Sequence, residues 1–374
     1  MVHRALSRSV RYLLPLTLLV VLFCALSTLA QVSESQIDAV FSGLKSSDAP
    51  GAAVLVVRSG KVVFRRGYGV TDLRTKHPID AETDFRIASF TKQFTATCIM
   101  LLVHDGKLRY DETLIEIFPE FPAYGRQITV RNLLNHTGGL LDYEDILSKQ
   151  YPDTPDEKIP QIHDAGVLRL LEQQNAGKFP PATQWQYSNS GYATLAMIVE
   201  KISGRSFGEF LRQRIFAPLK MTHTLAYEKG KNEVPHRAYG HTKEQGAWRE
   251  TDQSSTSAVL GDGGIYTSID DLEKWDRALR EHTLLSEAEM QTALTPLKLA
   301  DGSTPVRYGF GWFLDPYRGH TRMSHDGETM GFRTTIQRFP EDDLTVIVLA
   351  NRADEEPKEL ALKVADLYLT KTAH

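Results

Sequence analysis

Ser89-Phe90-Thr91-Lys92 places a hydroxyl and an amine three residues apart where an apolar run begins. Three residues is close to one helical turn, so both side chains leave the same helix face and can meet. An amine that near a serine can serve as the base that makes the hydroxyl a nucleophile. The helix N-terminus also favours negative charge developing beside Ser89. Spacing alone carries little, because roughly one S-x-x-K arises by chance in a chain of ordinary composition and this length. A second copy exists, Ser42-Gly43-Leu44-Lys45, and context separates the two. Ser89 follows Thr83-Asp84-Phe85-Arg86-Ile87-Ala88 and opens a run with Phe94, Cys98, Ile99, Leu101, Leu102 and Val103, closed by Asp105-Gly106. That is a helix with its stop signal. The Ser42 copy contains Gly43 and leads into Ser46-Ser47-Asp48, a frayed helix end.

Upstream, residues 1–30 read as a secretory signal. Arg4, Arg8 and Arg11 precede the apolar run Leu13 to Ala25, and Thr28-Leu29-Ala30 offers small residues for cleavage before Gln31. The competing reading is a retained anchor, but Pro15 and several hydroxyls make this stretch marginal as a span. Bulky Phe23 before Cys24 argues against lipidation. The protein is therefore expected to be exported, periplasmic or extracellular, with membrane contact only through an uncleaved N-terminal segment. Losing the three arginines takes the formal charge from −4 to about −7. A mildly acidic chain without a basic patch is a poor partner for nucleic acid. Cys98 is then the one cysteine left, so no internal disulfide can form and the core must supply stability.

Residues 35–46 suggest a short amphipathic helix. Ala52 to Val57, a turn at Arg58-Ser59-Gly60, and Lys61 to Phe64 read as a hairpin. Tyr308 to Leu314, Thr321 to Ser324, Arg333 to Phe339 and Leu344 to Ala350 are further strand candidates, followed by a closing helix over Glu355 to Thr370. The expected class is α/β, with one antiparallel sheet drawn from both chain ends and flanked by helices. The sheet part spans about 31–106 and 254–374. A mostly helical inserted subdomain spans about 107–253, with a ligand cleft between the two.

Two further elements complete a candidate site. Tyr187-Ser188-Asn189 is the single Y-x-N, and it follows the loop Pro180-Pro181-Ala182-Thr183 and precedes a helix over Tyr192 to Ile202. A phenol there can relay protons, and an amide can orient base and substrate. His325-Asp326-Gly327 is one of three H-x-G copies, beside His104-Asp105-Gly106 and His136-Thr137-Gly138. His104 lies at a helix end and His136 in a turn-rich loop. His325 lies between two strand-like stretches, where Gly327 would let a substrate backbone approach a sheet edge. The other histidines are expected on the surface or in loops, and Pro340 to Asp343 in a solvated turn. With no H-E-x-x-H, paired C-x-x-C, P-loop or G-x-G-x-x-G, no metal or cofactor is called for.

Ser-x-x-Lys, Tyr-x-Asn and His-x-Gly in this order resemble the beta-lactamase-related serine hydrolases. That family includes class C beta-lactamases, D-alanyl-D-alanine carboxypeptidases, D-aminopeptidases and related esterases. Phe85 to Ala88, Leu133 to Leu140, Gly263 to Ser268 and Gly331-Phe332 resemble it too. The resemblance implies a beta-lactamase-like fold, Ser89 as acylated nucleophile and Lys92 as its base. It implies that Tyr187 moves protons at the leaving group, that Asn189 positions substrate, and that the backbone N–H groups of Ser89 and Glu328 form an oxyanion hole. Class C enzymes carry Lys-Thr-Gly where His325-Asp326-Gly327 stands, so beta-lactams should be poor substrates, and a D-amino-acid peptide or small ester better ones. Asp326 and Glu328 disfavour an anionic ligand unless His325 is protonated or they point away. Ala182 stands where relatives usually have glycine. The competing function is a penicillin-binding-like module that recognises cell-wall peptides with little turnover.

Overall fold

The computed structural model describes residues 32–369, and the signal expected at residues 1–30 lies outside them. The strands, in chain order, are β1 (Ala52–Arg58), β2 (Lys61–Tyr68), β3 (Phe85–Arg86), β4 (Leu225–Ala226), β5 (His241–Glu244), β6 (Ala247–Glu250), β7 (Ile265–Thr267), β8 (Met323–Thr329), β9 (Phe332–Phe339) and β10 (Leu344–Ala350). The principal sheet is antiparallel in the order β2-β1-β10-β9-β8, which joins the two chain ends through the β1–β10 pair. Val54 faces Val348 and Leu55 faces Ile347 in that register. Both strands are buried on both faces, which is why they read as unbroken apolar runs rather than alternating ones. The Ser59-Gly60 turn takes positive φ at both residues, the geometry that matches the twist of a two-residue hairpin.

Two apolar cores lie on opposite faces of this sheet. One face packs on the Glu34–Val40 and Pro357–Tyr368 helices through Ile37, Phe41, Ala361 and Val364. The other carries the large core that contains the Lys92–His104 helix. That helix is buried from Lys92 through Leu102, so it is a central helix and not an amphipathic surface one. Phe94 meets Trp275 at 4.4 Å and Phe216 at 5.8 Å between ring centroids, and Trp275 Nε1 donates to Gln93 Oε1 at 3.1 Å. Cys98 is fully buried there, as inert packing requires.

A smaller antiparallel sheet, β3-β7-β4, leads into the Ser89 segment. Phe85 pairs with Thr267 and Arg86 with Tyr266, so two of the stretches that carried the resemblance are strand partners. Several details differ from expectation. Tyr308 to Leu314 forms no strand, only single bridges that join Tyr308 to Phe313 and Phe313 to Ser324. His325 lies inside β8 rather than between strands, because the ladder with β9 runs from Met323 to Thr329. The middle of the chain is mainly helical but also holds β4 and the β5–β6 hairpin. His241 and His320 are buried rather than superficial.

Ala182 sits at φ +62°. Left-handed backbone costs an L-residue roughly 1 kcal/mol relative to glycine, which gives the glycine of relatives a physical reason. The conformation is held by Ala182 N donating to the Thr137 carbonyl at 2.9 Å and Ala300 N donating to the Ala182 carbonyl at 2.9 Å. Ala182→Gly is expected to stabilise the fold by about 0.5–1 kcal/mol, offset in part by the extra freedom of unfolded glycine. Urea unfolding of the two proteins measures it.

Candidate active site

Ser89 lies in the tight turn Ala88–Thr91 that runs directly into the Lys92–His104 helix. Ala88, just before it, has φ +48°, a strained conformation over-determined by its surroundings. Arg86, buried, donates from Nη1 to Ser257 Oγ at 2.5 Å and from Nε to the Gly263 carbonyl at 3.2 Å. Ile87 N donates to the Ile265 carbonyl at 3.0 Å, and the Ile87 carbonyl accepts from Thr334 Oγ1 at 2.9 Å. The turn is thereby fixed from both sheets.

Lys92 is fully buried and turns its Nζ back on the half-buried Ser89, 3.0 Å from Oγ. The same nitrogen reaches Asn189 Oδ1 at 2.9 Å and the Asp262 carbonyl at 2.9 Å. All three acceptors are uncharged, and among the described residues no carboxylate lies within ion-pair distance of Nζ. The Tyr187 ring centroid lies 4.9 Å from Nζ and that of Tyr192 5.5 Å. Asn189 is the first residue of the Asn189–Ser203 helix, capped by Ser188 Oγ, which accepts from Gly191 N at 3.0 Å. Hydroxyl, amine, phenol and amide thus meet at the N-terminal ends of two helices.

His325 is buried beside them. Its Nδ1 contacts the Asp326 carbonyl at 2.7 Å and must therefore donate, which leaves Nε2 to accept from Tyr308 Oη at 3.2 Å. Burial, reinforced by the charge of Lys92, pushes His325 down to about 4, so the ring is neutral near pH 7. The flanking acids turn away. Asp326 accepts from Thr335 Oγ1 at 2.6 Å and pairs with Lys358 at 3.3 Å, while the exposed Glu328 pairs with Arg333 at 2.8 Å. Gly327 has a different task from the one its sequence suggests. A Cβ there would come within 2.1 Å of the Ile87 carbonyl and 2.3 Å of Thr334 Oγ1, so its missing side chain admits the Ile87-to-Ser89 segment rather than a substrate backbone.

Three contributors escape sequence reasoning. His136, set aside as a loop histidine, is buried with its ring 4.4 Å from that of Tyr187 and 4.6 Å from that of Tyr308. Its Nδ1 accepts from Ser188 N at 3.1 Å, which anchors the Tyr187-Ser188-Asn189 segment. Burial and the Lys92 charge hold its pKa well below the ordinary value. Asp262 presents its carbonyl to Lys92, while its own carboxyl accepts from Tyr143 Oη at 2.9 Å. Asp164 accepts from Leu260 N at 2.8 Å and Gly261 N at 2.9 Å, which orients the short helix bearing that carbonyl. The proximity of His136 to Leu133-Leu134 and the Gly-Asp-Gly-Gly run at 261–264 were the available signals.

Gly204-Arg205-Ser206-Phe207-Gly208 fits the G-x-S-x-G pattern of another hydrolase class. Ser206 is exposed between two helices and caps the second, accepting from Glu209 N at 3.3 Å. No strand precedes it, so it is no nucleophile elbow. Among the described residues no cluster of His, Cys, Asp or Glu is placed to hold a metal ion.

The Beta-lactamase family matches residues 37–370. Penicillin-binding protein 4* of Bacillus subtilis is 31% identical over 353 residues, 91% of this chain and 76% of that protein. A D-aminopeptidase of Brucella canis is 29% identical over 86% of this chain, which spans 60% of that enzyme's length. The D-amino acid amidase of Ochrobactrum anthropi SV3, solved with L-phenylalanine amide, superposes with a TM-score of 0.74 at 25% identity. That alignment covers 89% of this chain and 96% of the amidase.

Proposed function

The chain belongs to the Beta-lactamase family, a serine hydrolase family, and on that premise we propose that it is an exported amidase or peptidase that works through an acyl-enzyme on Ser89. The observation that carries this reading is the 3.0 Å contact between Lys92 Nζ and Ser89 Oγ, with Tyr187 and Asn189 around the same nitrogen. Ser89 Oγ attacks the substrate carbonyl while its proton passes to Lys92 in its unprotonated form, since only the free amine has a lone pair to take it. Tyr187 then hands a proton to the departing amine as the carbon–nitrogen bond breaks, leaving an ester on Ser89. Water adds to that ester by the reverse route, releasing the acid and restoring the serine hydroxyl. The backbone N–H groups of Ser89 and Glu328 stabilise the oxyanion in both halves, a contribution of roughly 3 kcal/mol per donor.

Substrate class follows from charge. A neutral, buried His325 gives the cleft no cation at the position where class C enzymes hold a carboxylate. Uncharged groups beyond the scissile bond are favoured, so D-amino-acid amides, D-peptides with a blocked C-terminus and small esters should outrun beta-lactams. The relatives named D-aminopeptidase and D-amino acid amidase support the amide reading.

The test compares wild type with Ser89→Ala on D-amino-acid amides, p-nitrophenyl esters and nitrocefin, together with fluorophosphonate labelling. Labelling and turnover should both vanish in Ser89→Ala, with nitrocefin the poorest substrate for wild type. A lasting adduct without turnover supports a penicillin-binding module instead. Labelling that survives in Ser89→Ala removes Ser89 from the mechanism.

A further inference from the structure

Away from the candidate active site, a cavity of about 230 Å³ lies between the Ile269–Arg280 and Glu287–Ala293 helices and the sheet strands β8 to β10. At about 30 Å³ per water molecule this is room for about seven waters, or for one small organic ligand. Ser89, Lys92, Tyr187, Asn189 and His325 are not among its walls. One side is apolar, built from Leu279, Met290, Leu294 and Met323. The other is lined by two arginines, Arg280 and Arg338.

The charges there are unevenly used. Asp276 is buried, and its Oδ1 accepts from Arg338 Nε at 2.8 Å and from Thr345 Oγ1 at 2.7 Å. Among the described residues the Nη1 of Arg338 meets only the sulfur of Met323 at 3.8 Å, a weak acceptor. Arg280 Nε is buried without a hydrogen-bond partner among the described residues, and the carboxylate of the half-exposed Asp343 stays 3.9 Å away. A buried, unsatisfied guanidinium donor costs free energy that an anionic oxygen would recover. Arginine forks match carboxylate geometry, and thioether and leucine side chains adapt to an apolar tail.

We propose that this cavity binds a small monocarboxylate with an apolar tail, its carboxylate between Arg280 and Arg338 and its tail among Leu279, Met290 and Met323. The site stands apart from the hydrolytic one and does not depend on how Ser89 reacts.

Calorimetry on the full chain carrying Ser89→Ala, with hexanoate as ligand and hexanamide as its uncharged counterpart, decides it. Hexanoate should bind in the millimolar range or tighter, hexanamide about tenfold more weakly, and Arg280→Gln should cost hexanoate about tenfold. Leu294→Trp, which fills the apolar end and leaves Arg280 in place, should abolish binding as well. Thermal melts confirm that each variant folds, and Leu294→Trp decides alone if Arg280→Gln does not. Hexanoate binding unchanged in the folded variants, equal affinity for the amide, or no detectable heat with hexanoate overturns the proposal.

Discussion

Lys92→Arg should lower kcat/KM for amide hydrolysis by roughly 10³-fold, and Lys92→Met by at least as much. Arginine keeps a positive charge at the site but cannot give up its proton in a protein, so it separates a proton-transfer role from an electrostatic one. Methionine keeps most of the buried stem and removes both. The three acceptors of Nζ are Ser89, one helical turn away, and Asn189 and the Asp262 carbonyl from distant parts of the chain. Methionine leaves them without their donor, so that variant should also lose about 1–3 kcal/mol of stability. Thermal melts beside the kinetics separate the two losses. If Lys92→Arg retained a tenth or more of wild-type kcat, the amine would not be the base, and the proposed acylation step would fail with it.

Asp84→Asn should stabilise the protein increasingly as pH rises. Asp84 lies just before β3, fully buried, and among the described residues the backbone N–H of His236 is the one weak donor near a carboxyl that otherwise lacks partners. Burial, aided by the nearby charges of Asp271, Asp80 and Glu82, pushes its pKa from 3.8 up to about 8. The folded state thus keeps a proton that the unfolded chain gives up. Stability contributed by this group is complete below about pH 4, falls as pH rises towards 8, and is level above that. Asparagine has no proton to lose, so the variant lacks this slope. The difference between the proteins should widen across that window and reach on the order of 6 kcal/mol, at about 1.4 kcal/mol per pH unit. Urea titrations between about pH 5 and pH 8 measure it, and parallel curves would show that Asp84 ionises freely in the folded state.

Some of this protein is written locally. The hairpin β1–β2 shows as an apolar run, a Ser-Gly turn and a second run, because a two-residue turn ties the strands together within a few residues. The Ser89–Lys92 contact is equally local, since one helical turn brings the two side chains together wherever the helix lies. β8 was less legible: His325, Asp326 and Gly327 do not alternate as an edge strand of simple amphipathic kind, and only pairing with β9 extends the strand through them. The helix after Ser89 shows as apolar, but nothing in its period tells that every side is covered.

From order along the chain alone come the Ser89–Lys92 pair, the Tyr-x-Asn segment and the antiparallel, helix-flanked class, because turns, helical spacing and apolar runs are short-range properties. Tertiary structure alone decides what surrounds the amine. His136, Asp262 and His325 arrive there from three separate segments through strand register and helix packing, and the burial they share leaves the imidazoles neutral. Desolvation depends on everything packed around a group, and no stretch of sequence contains that.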